Sequence, residues 1–335
     1  MSELSDSATW SFGDTYETVE RLRRGMPPAI ITCALNGGVQ GKEAHPAIPE
    51  TPEEIAAAAA EAYEAGASIV HIHGRHPDRP WDATDSPDVY REINARVRER
   101  CPEIIVNNTT GGGMSTTMED RLRCLEAAPE LASLNMGPEM TRFRIKPRPA
   151  PLPGAHDGLD YDGCTPYTYG YLETLAGRMR DLGVRPEMET YHAGQFWVTH
   201  ALIERGLIEP PYVHQFVMGY QTSVYPTVEN LCGLVRELPA GSLFFVCGIG
   251  PFQFPMTTAA LLLGGHVRVG LEDNIYRSRG QLLDGNGEAV ARIARIVRDV
   301  GREVASPAQA REMLGLGAPR AFDTSSDTPA IESDR

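Results

Sequence analysis

Strand-sized apolar runs alternate with helix-sized segments about eight times along this chain, and no other feature restricts its fold as much. The strands read from the sequence are Ala29–Leu35, the run inside Ser68–Arg75, Ile104–Asn107, Leu131–Asn135, Arg185–Thr190, Tyr212–Met218, Ser242–Cys247 and His266–Gly270. Between them the spacing predicts helices. The first is capped by Thr51, with Pro52 and the acids Glu53 and Glu54 in its first turn, and it stops at Gly66. Later ones are expected over Met118–Ala128, Tyr167–Leu182, Gln195–Arg205, Thr257–Leu263 and Glu288–Val300. Strict alternation is the pattern of parallel βαβ units. About eight of them suit a closed (β/α)8 TIM barrel, which needs roughly 250 residues. The competing open sheet would be favoured by a Gly-x-Gly-x-x-Gly turn after the first strand, and Asn36-Gly37-Gly38-Val39-Gln40-Gly41 lacks that spacing. The expected layout is a polar extension over 1–27, one barrel domain over 28–317 and a disordered tail over 318–335, with a Pro- and Gly-rich excursion from about Gly137 to Pro166.

Bulk properties exclude several classes of partner. The formal net charge of −14 argues against nucleic acid and against an anionic membrane surface. No apolar run is long enough to span a bilayer, and Met1–Asp14 has no apolar leader core. The 6 cysteines are scattered without a C-x-x-C pair, which reads as reduced thiols in a cytoplasmic protein.

In a barrel of this kind the chemistry lies at the C-terminal ends of the strands. His71 and His73 stand at i and i+2 on a strand, so both point to one face, and two neutral imidazoles there can hold zinc or a related ion. Arg268, Gly270 and Glu272 share a face near the last strand, and adjacent Glu272 and Asp273 need cations to offset them. Glu272 completing a His-His-carboxylate site and Asp273 holding Arg268 would satisfy both acids. Asn36, Thr109, Ser133 and Glu189 also fall at strand ends, where they are expected among the substrate contacts.

Val70-His71-Ile72-His73, Thr109-Thr110-Gly111-Gly112, Pro186-Glu187-Met188-Glu189, Cys247-Gly248-Ile249-Gly250 and Gly264–Asn274 together resemble the β-keto acid cleavage enzymes, from about Pro28 to Leu314. The resemblance implies a zinc-bearing TIM barrel that condenses a β-keto acid with acetyl-CoA, releasing acetoacetate and a new acyl-CoA. It also implies a homo-oligomer. Carried over by position, His71, His73 and Glu272 are the zinc ligands, and Arg268, polarised by Asp273, promotes deprotonation of the keto acid. Thr109 and Ser133 bind its carboxylate, and Glu189 is a pocket acid. Gly248 and Gly250 would let the backbone approach CoA, whose phosphates could find cations in the run Arg142–Arg148 or at Arg277 and Arg279. That run could equally serve a subunit contact. Where the family carries an acid after the first strand, this chain has Val39, so an uncharged keto acid is the expected substrate. Two alternatives remain at this stage: a metal-dependent amidohydrolase using His192, His214 and Asp273, and a CoA- or metal-binding barrel without turnover.

Overall fold

In the computed structural model, which describes residues 9–114 and 116–322, the eight strands close on themselves. They are β1 (Ile31–Ala34), β2 (Ile69–Ile72), β3 (Ile105–Asn108), β4 (Leu131–Asn135), β5 (Arg185–Thr190), β6 (Tyr212–Met218), β7 (Ser242–Gly248) and β8 (His266–Val269). Each pairs in parallel with its sequence neighbours, and β8 closes the ring against β1. The chain is a (β/α)8 TIM barrel.

Strand alternation divides the side chains between two cores. Ile30, Ile69, Ile105, Leu131, Val213, Leu243 and Phe245 form one cluster inside the barrel, plugged at its N-terminal mouth by Ala310 and Leu314. Residues one position out of step, such as Val70, Ile72, Val106 and Val267, pack instead against the surrounding helices. The inward set continues upward as His71, Asn107, Ser133, Glu187, Gln215 and Arg268. A strand buried on both faces therefore switches from apolar to polar only on its inner face and only toward its C-terminal end.

Local signals act as expected at the first barrel helix, Pro52–Ala65. Thr51 Oγ1 accepts from the Glu54 N–H at 3.2 Å, and Glu54 Oε2 accepts from the Thr51 N–H at 3.3 Å, a complete capping box. The third unit departs from expectation. Asp120–Ala127 is a 3-10 helix, and it ends at Ala128, which turns to φ 47° ahead of Pro129. The polar N-terminal extension contains a helix, Thr15–Arg24, capped by Asp14. Of the tail expected from residue 318, Arg320 and Phe322 are half-buried, Phe322 against the core and Arg320 donating to the carbonyls of Ala128 and Pro129 at 3.2 and 3.0 Å. The remainder, 323–335, lies outside the described residues. Among the described residues no helix is long and apolar enough to cross a membrane.

The Pro- and Gly-rich excursion is an antiparallel hairpin, Glu139–Ile145 with Leu159–Thr165, standing over the C-terminal mouth. Alternation gives it a buried face (Thr141, Ile145) and an exposed face (Met140, Arg142, Arg144). Arg148 ties its base to the loop after β1. That guanidinium is fully buried and reaches Glu43 Oε2 at 2.5 Å, Glu50 Oε1 at 2.8 Å and Glu50 Oε2 at 2.9 Å. Arg148→Ala would leave two buried carboxylates without their cation, so unfolding free energy should fall by about 3–5 kcal/mol. A denaturation midpoint unchanged from wild type would show that the hairpin is anchored elsewhere.

Candidate active site

The C-terminal mouth holds a cavity of about 560 Å³, lined among others by His71, His73, Thr109, Glu189, Arg268, Glu272 and Asp273. Both imidazoles arrive from β2 by parity. Asn36, at the end of β1, fixes the second one: its Oδ1 accepts from the His73 N–H at 3.2 Å, and its Nδ2 donates to the His73 carbonyl at 3.0 Å. Asn36 is thus wholly engaged with backbone and does not line the cavity, contrary to its expected place among the substrate contacts.

The carboxylates arrive through a bend after β8. Gly270, at φ +146°, lies so close to β1 that a Cβ there would sit 2.0 Å from the Ala34 carbonyl oxygen. Only glycine allows that approach. The bend returns Glu272 over the barrel axis, where Gly37 (φ +65°) leaves room: a Cβ on Gly37 would meet Glu272 Cγ at 2.9 Å. Glu272 Oε1 then lies 3.4 Å from His73 Nε2 and 3.8 Å from His71 Nε2.

Arg268 binds Asp273 with both ends of its fork, Nε to Oδ2 at 3.0 Å and Nη2 to Oδ1 at 2.9 Å. It also donates to Glu272 Oε1 at 2.5 Å and to Glu189 Oε1 at 3.3 Å. Although it is buried, these acids, Asp273 foremost, hold its pKa well above the ordinary value, so it is a permanent cation. Three carboxylates share this one guanidinium, and the excess negative charge suits a divalent cation. The donor set fits one too. One ligand atom from each of His71, His73 and Glu272 lies within 4.8 Å of the others, and Glu272 Oε2 is buried without a partner among the described residues. Burial, with Arg268 nearby, lowers the His71 pKa to about 3, keeping its lone pair free at neutral pH. Arg268 and the histidines hold Glu272 well below the usual carboxylate range despite burial.

The other sequence expectations sort by what their polar atoms already do. Val39 and Gly250 line the cavity. Ser133 is completely buried outside it, and its Oγ accepts from the Thr110 N–H at 2.9 Å, so it supports the loop that carries Thr109. Gly248 faces the turn after β7, where a Cβ would meet the Phe252 carbonyl at 2.3 Å. His214 points outward among Phe196 and Phe216, with ring centroids at 5.3 and 6.2 Å, so parity removes it from any metal site. His192 does not line the cavity. In the basic run, Arg148 is spent on Glu43 and Glu50, while Arg142 and Arg144 face Asp162 and Asp160 across the hairpin.

Two acids escaped sequence reasoning. Glu187 lies behind His71, with its Oε2 3.9 Å from His71 Nδ1 and accepting from Asn107 Nδ2 at 2.6 Å. Burial pushes it up to about 7. Its signal was available, since it shares the inner face with Glu189 two residues on. Glu139, the first residue of the hairpin, lines the cavity. No sequence pattern placed it there.

A profile of the beta-keto acid cleavage enzyme family matches residues 28–316. The chain belongs to this family. It is 35% identical over 291 residues to a 3-keto-5-aminohexanoate cleavage enzyme of Fusobacterium nucleatum, a match covering 87% of this chain and 99% of that relative. It is 31% identical to a 3-dehydrocarnitine:acetyl-CoA trimethylamine transferase of Rhizobium meliloti, over 86% of this chain and 96% of the relative. Among solved structures, apo ObcA shares the fold at a TM-score of 0.65 and 22% identity, covering 81% of this chain and 66% of that one. As a β-keto acid cleavage enzyme, the chain is a catalyst, and the barrel without turnover is set aside.

Proposed function

We propose that this enzyme is zinc-dependent and condenses a β-keto acid with acetyl-CoA, giving acetoacetate and a new acyl-CoA. The observation that supports this most directly is the convergence of His71, His73 and Glu272 beside the Arg268–Asp273 pair, in the cavity of a chain from this family. His71, His73 and Glu272 would hold the ion. Zinc bound there supplies a Lewis acid that draws electron density from the keto oxygen. Three protein ligands would leave a coordination position open, as a catalytic rather than structural site requires.

The chain's own residues carry the remaining work. Arg268 presents a fixed cation where negative charge grows on the substrate, and Asp273 sets its orientation. The Thr109 hydroxyl, which accepts from the Gly111 N–H at 2.9 Å, still has its own proton to donate to a substrate carboxylate. Arg144 and Lys146 stand at the mouth and suit CoA phosphates. The wall above the metal trio, from Val217 to Ile249 and the hairpin, keeps bulk water from an enolate.

Incubating the zinc-loaded protein with a β-keto acid and acetyl-CoA, and following acetoacetate and the new thioester together, tests the reading. Both products should appear in equal amounts. Hydrolysis of either substrate without the other would refute it.

A further inference from the structure

His71 and Asn107 are direct register partners on β2 and β3, so their side chains stand side by side on the inner face of the barrel. Glu187 reaches the same spot from β5. All three are fully buried. A carboxylate oxygen accepts and cannot donate, and Glu187 Oε2 accepts from Asn107 Nδ2 at 2.6 Å. That bond fixes which way the amide faces. Asn107 Oδ1 is then left buried with no hydrogen-bond partner among the described residues, and so is His71 Nδ1. Glu187 Oε2 is itself 3.9 Å from His71 Nδ1, too far for a hydrogen bond.

The two orphaned atoms answer a requirement of the site. Neutral imidazole carries its proton on one nitrogen only, and a metal needs the lone pair of the other. Here Nε2 is the atom that faces Glu272 Oε1, at 3.8 Å, so the proton must sit on Nδ1. An acceptor behind Nδ1 holds it there. Without one, the ionised Glu272 carboxylate draws the proton toward Nε2, onto the atom that should bind the ion. Asn107 Oδ1 is the acceptor in place. Glu187 keeps the amide from turning its nitrogen toward the ring, where donor would meet donor.

We propose that Glu187 and Asn107 are positioning residues for the metal site, a Glu187–Asn107–His71 relay in which the carboxylate orients the amide and the amide oxygen holds the Nδ1–H tautomer of His71. The inference rests on the zinc reading above and adds two residues to it, neither of which touches the ion. A buried carboxylate without a cationic partner is costly, and among the described residues Glu187 forms no ion pair with an arginine or lysine. Its use is the orientation of one amide.

The test reads the tautomer and the metal separately. Nitrogen-15 NMR of histidine-labelled, metal-free protein should show His71, assigned by difference from His71→Asn, protonated at Nδ1 in wild type. Asn107→Leu removes the acceptor, and Glu187→Met frees the amide to turn. Both should move the proton toward Nε2 and weaken zinc binding, measured by competition with a chelator, by about ten- to a hundredfold. Glu187→Gln should keep the Nδ1–H form, because its amide oxygen can still accept from Asn107 Nδ2. Circular dichroism shows which variants fold, and the two Glu187 variants decide the matter if Asn107→Leu does not. Wild type that takes up no zinc refutes the zinc reading, while the tautomers of the metal-free variants still uphold or refute the relay. A wild-type proton on Nε2, or an unchanged tautomer in Glu187→Met, would overturn it. So would a shift in Glu187→Gln as large as in Glu187→Met, which would mean that Glu187 acts by its charge alone.

Discussion

On the zinc-dependent reading proposed above, His73→Ala should lose the metal and, with it, roughly a thousandfold or more in turnover. His73 supplies one of three expected ligands, and the alanine cannot be replaced from nearby. Glu187 sits behind His71 on the side of Nδ1, and Arg268 already occupies Glu272 Oε1. Lewis-acid stabilisation in such sites is worth several kcal/mol, and about 4 kcal/mol corresponds to that thousandfold. The barrel should persist, because Asn36 bonds the His73 backbone and not its ring. Asn36→Ala makes the useful contrast: a residue that positions a ligand should cost only about ten- to a hundredfold in metal affinity. Elemental analysis of the purified variants beside circular dichroism reads both effects. Full metal content in His73→Ala would remove it from the ligand set.

Much of this site was legible because it depends on parity and spacing. Two histidines at i and i+2 on a strand must share a face, and the Arg268–Asp273 pair is only five residues apart in sequence. The helix start at Thr51 was legible for the same reason, since a capping box is complete within four residues. What sequence could not resolve was which polar atoms are already consumed. Asn36 and Ser133 sit at strand ends as substrate ligands would, yet backbone groups of His73 and Thr110 take their hydrogen bonds. Nor could it place the hairpin. Its period-two face was present over Glu139–Ile145, but which strand ends it crosses depends on Arg148 finding Glu43 and Glu50 about a hundred residues earlier. That nonlocal contact is absent from any local pattern.

The Arg268–Asp273 pair gives the sharper mechanistic prediction, because it separates the proton step from the metal. In Asp273→Asn the amide nitrogen must face a guanidinium N–H, so one of the two parallel bonds is lost and the fork no longer has a charged partner on that side. Arg268 will not be released, since Glu272 and Glu189 still hold it. It will be drawn toward them, away from the position Asp273 fixes and closer to the carboxylate that a metal needs. The expected result is a protein that retains zinc but loses well over about tenfold in kcat, at least about 1.4 kcal/mol of barrier, with the KM of acetyl-CoA little changed. Arg268→Lys should fare no better, because an ammonium cannot reproduce the bidentate contact. Loss of zinc in Asp273→Asn would mean that the pair serves the metal site instead, and normal turnover would remove both residues from the mechanism.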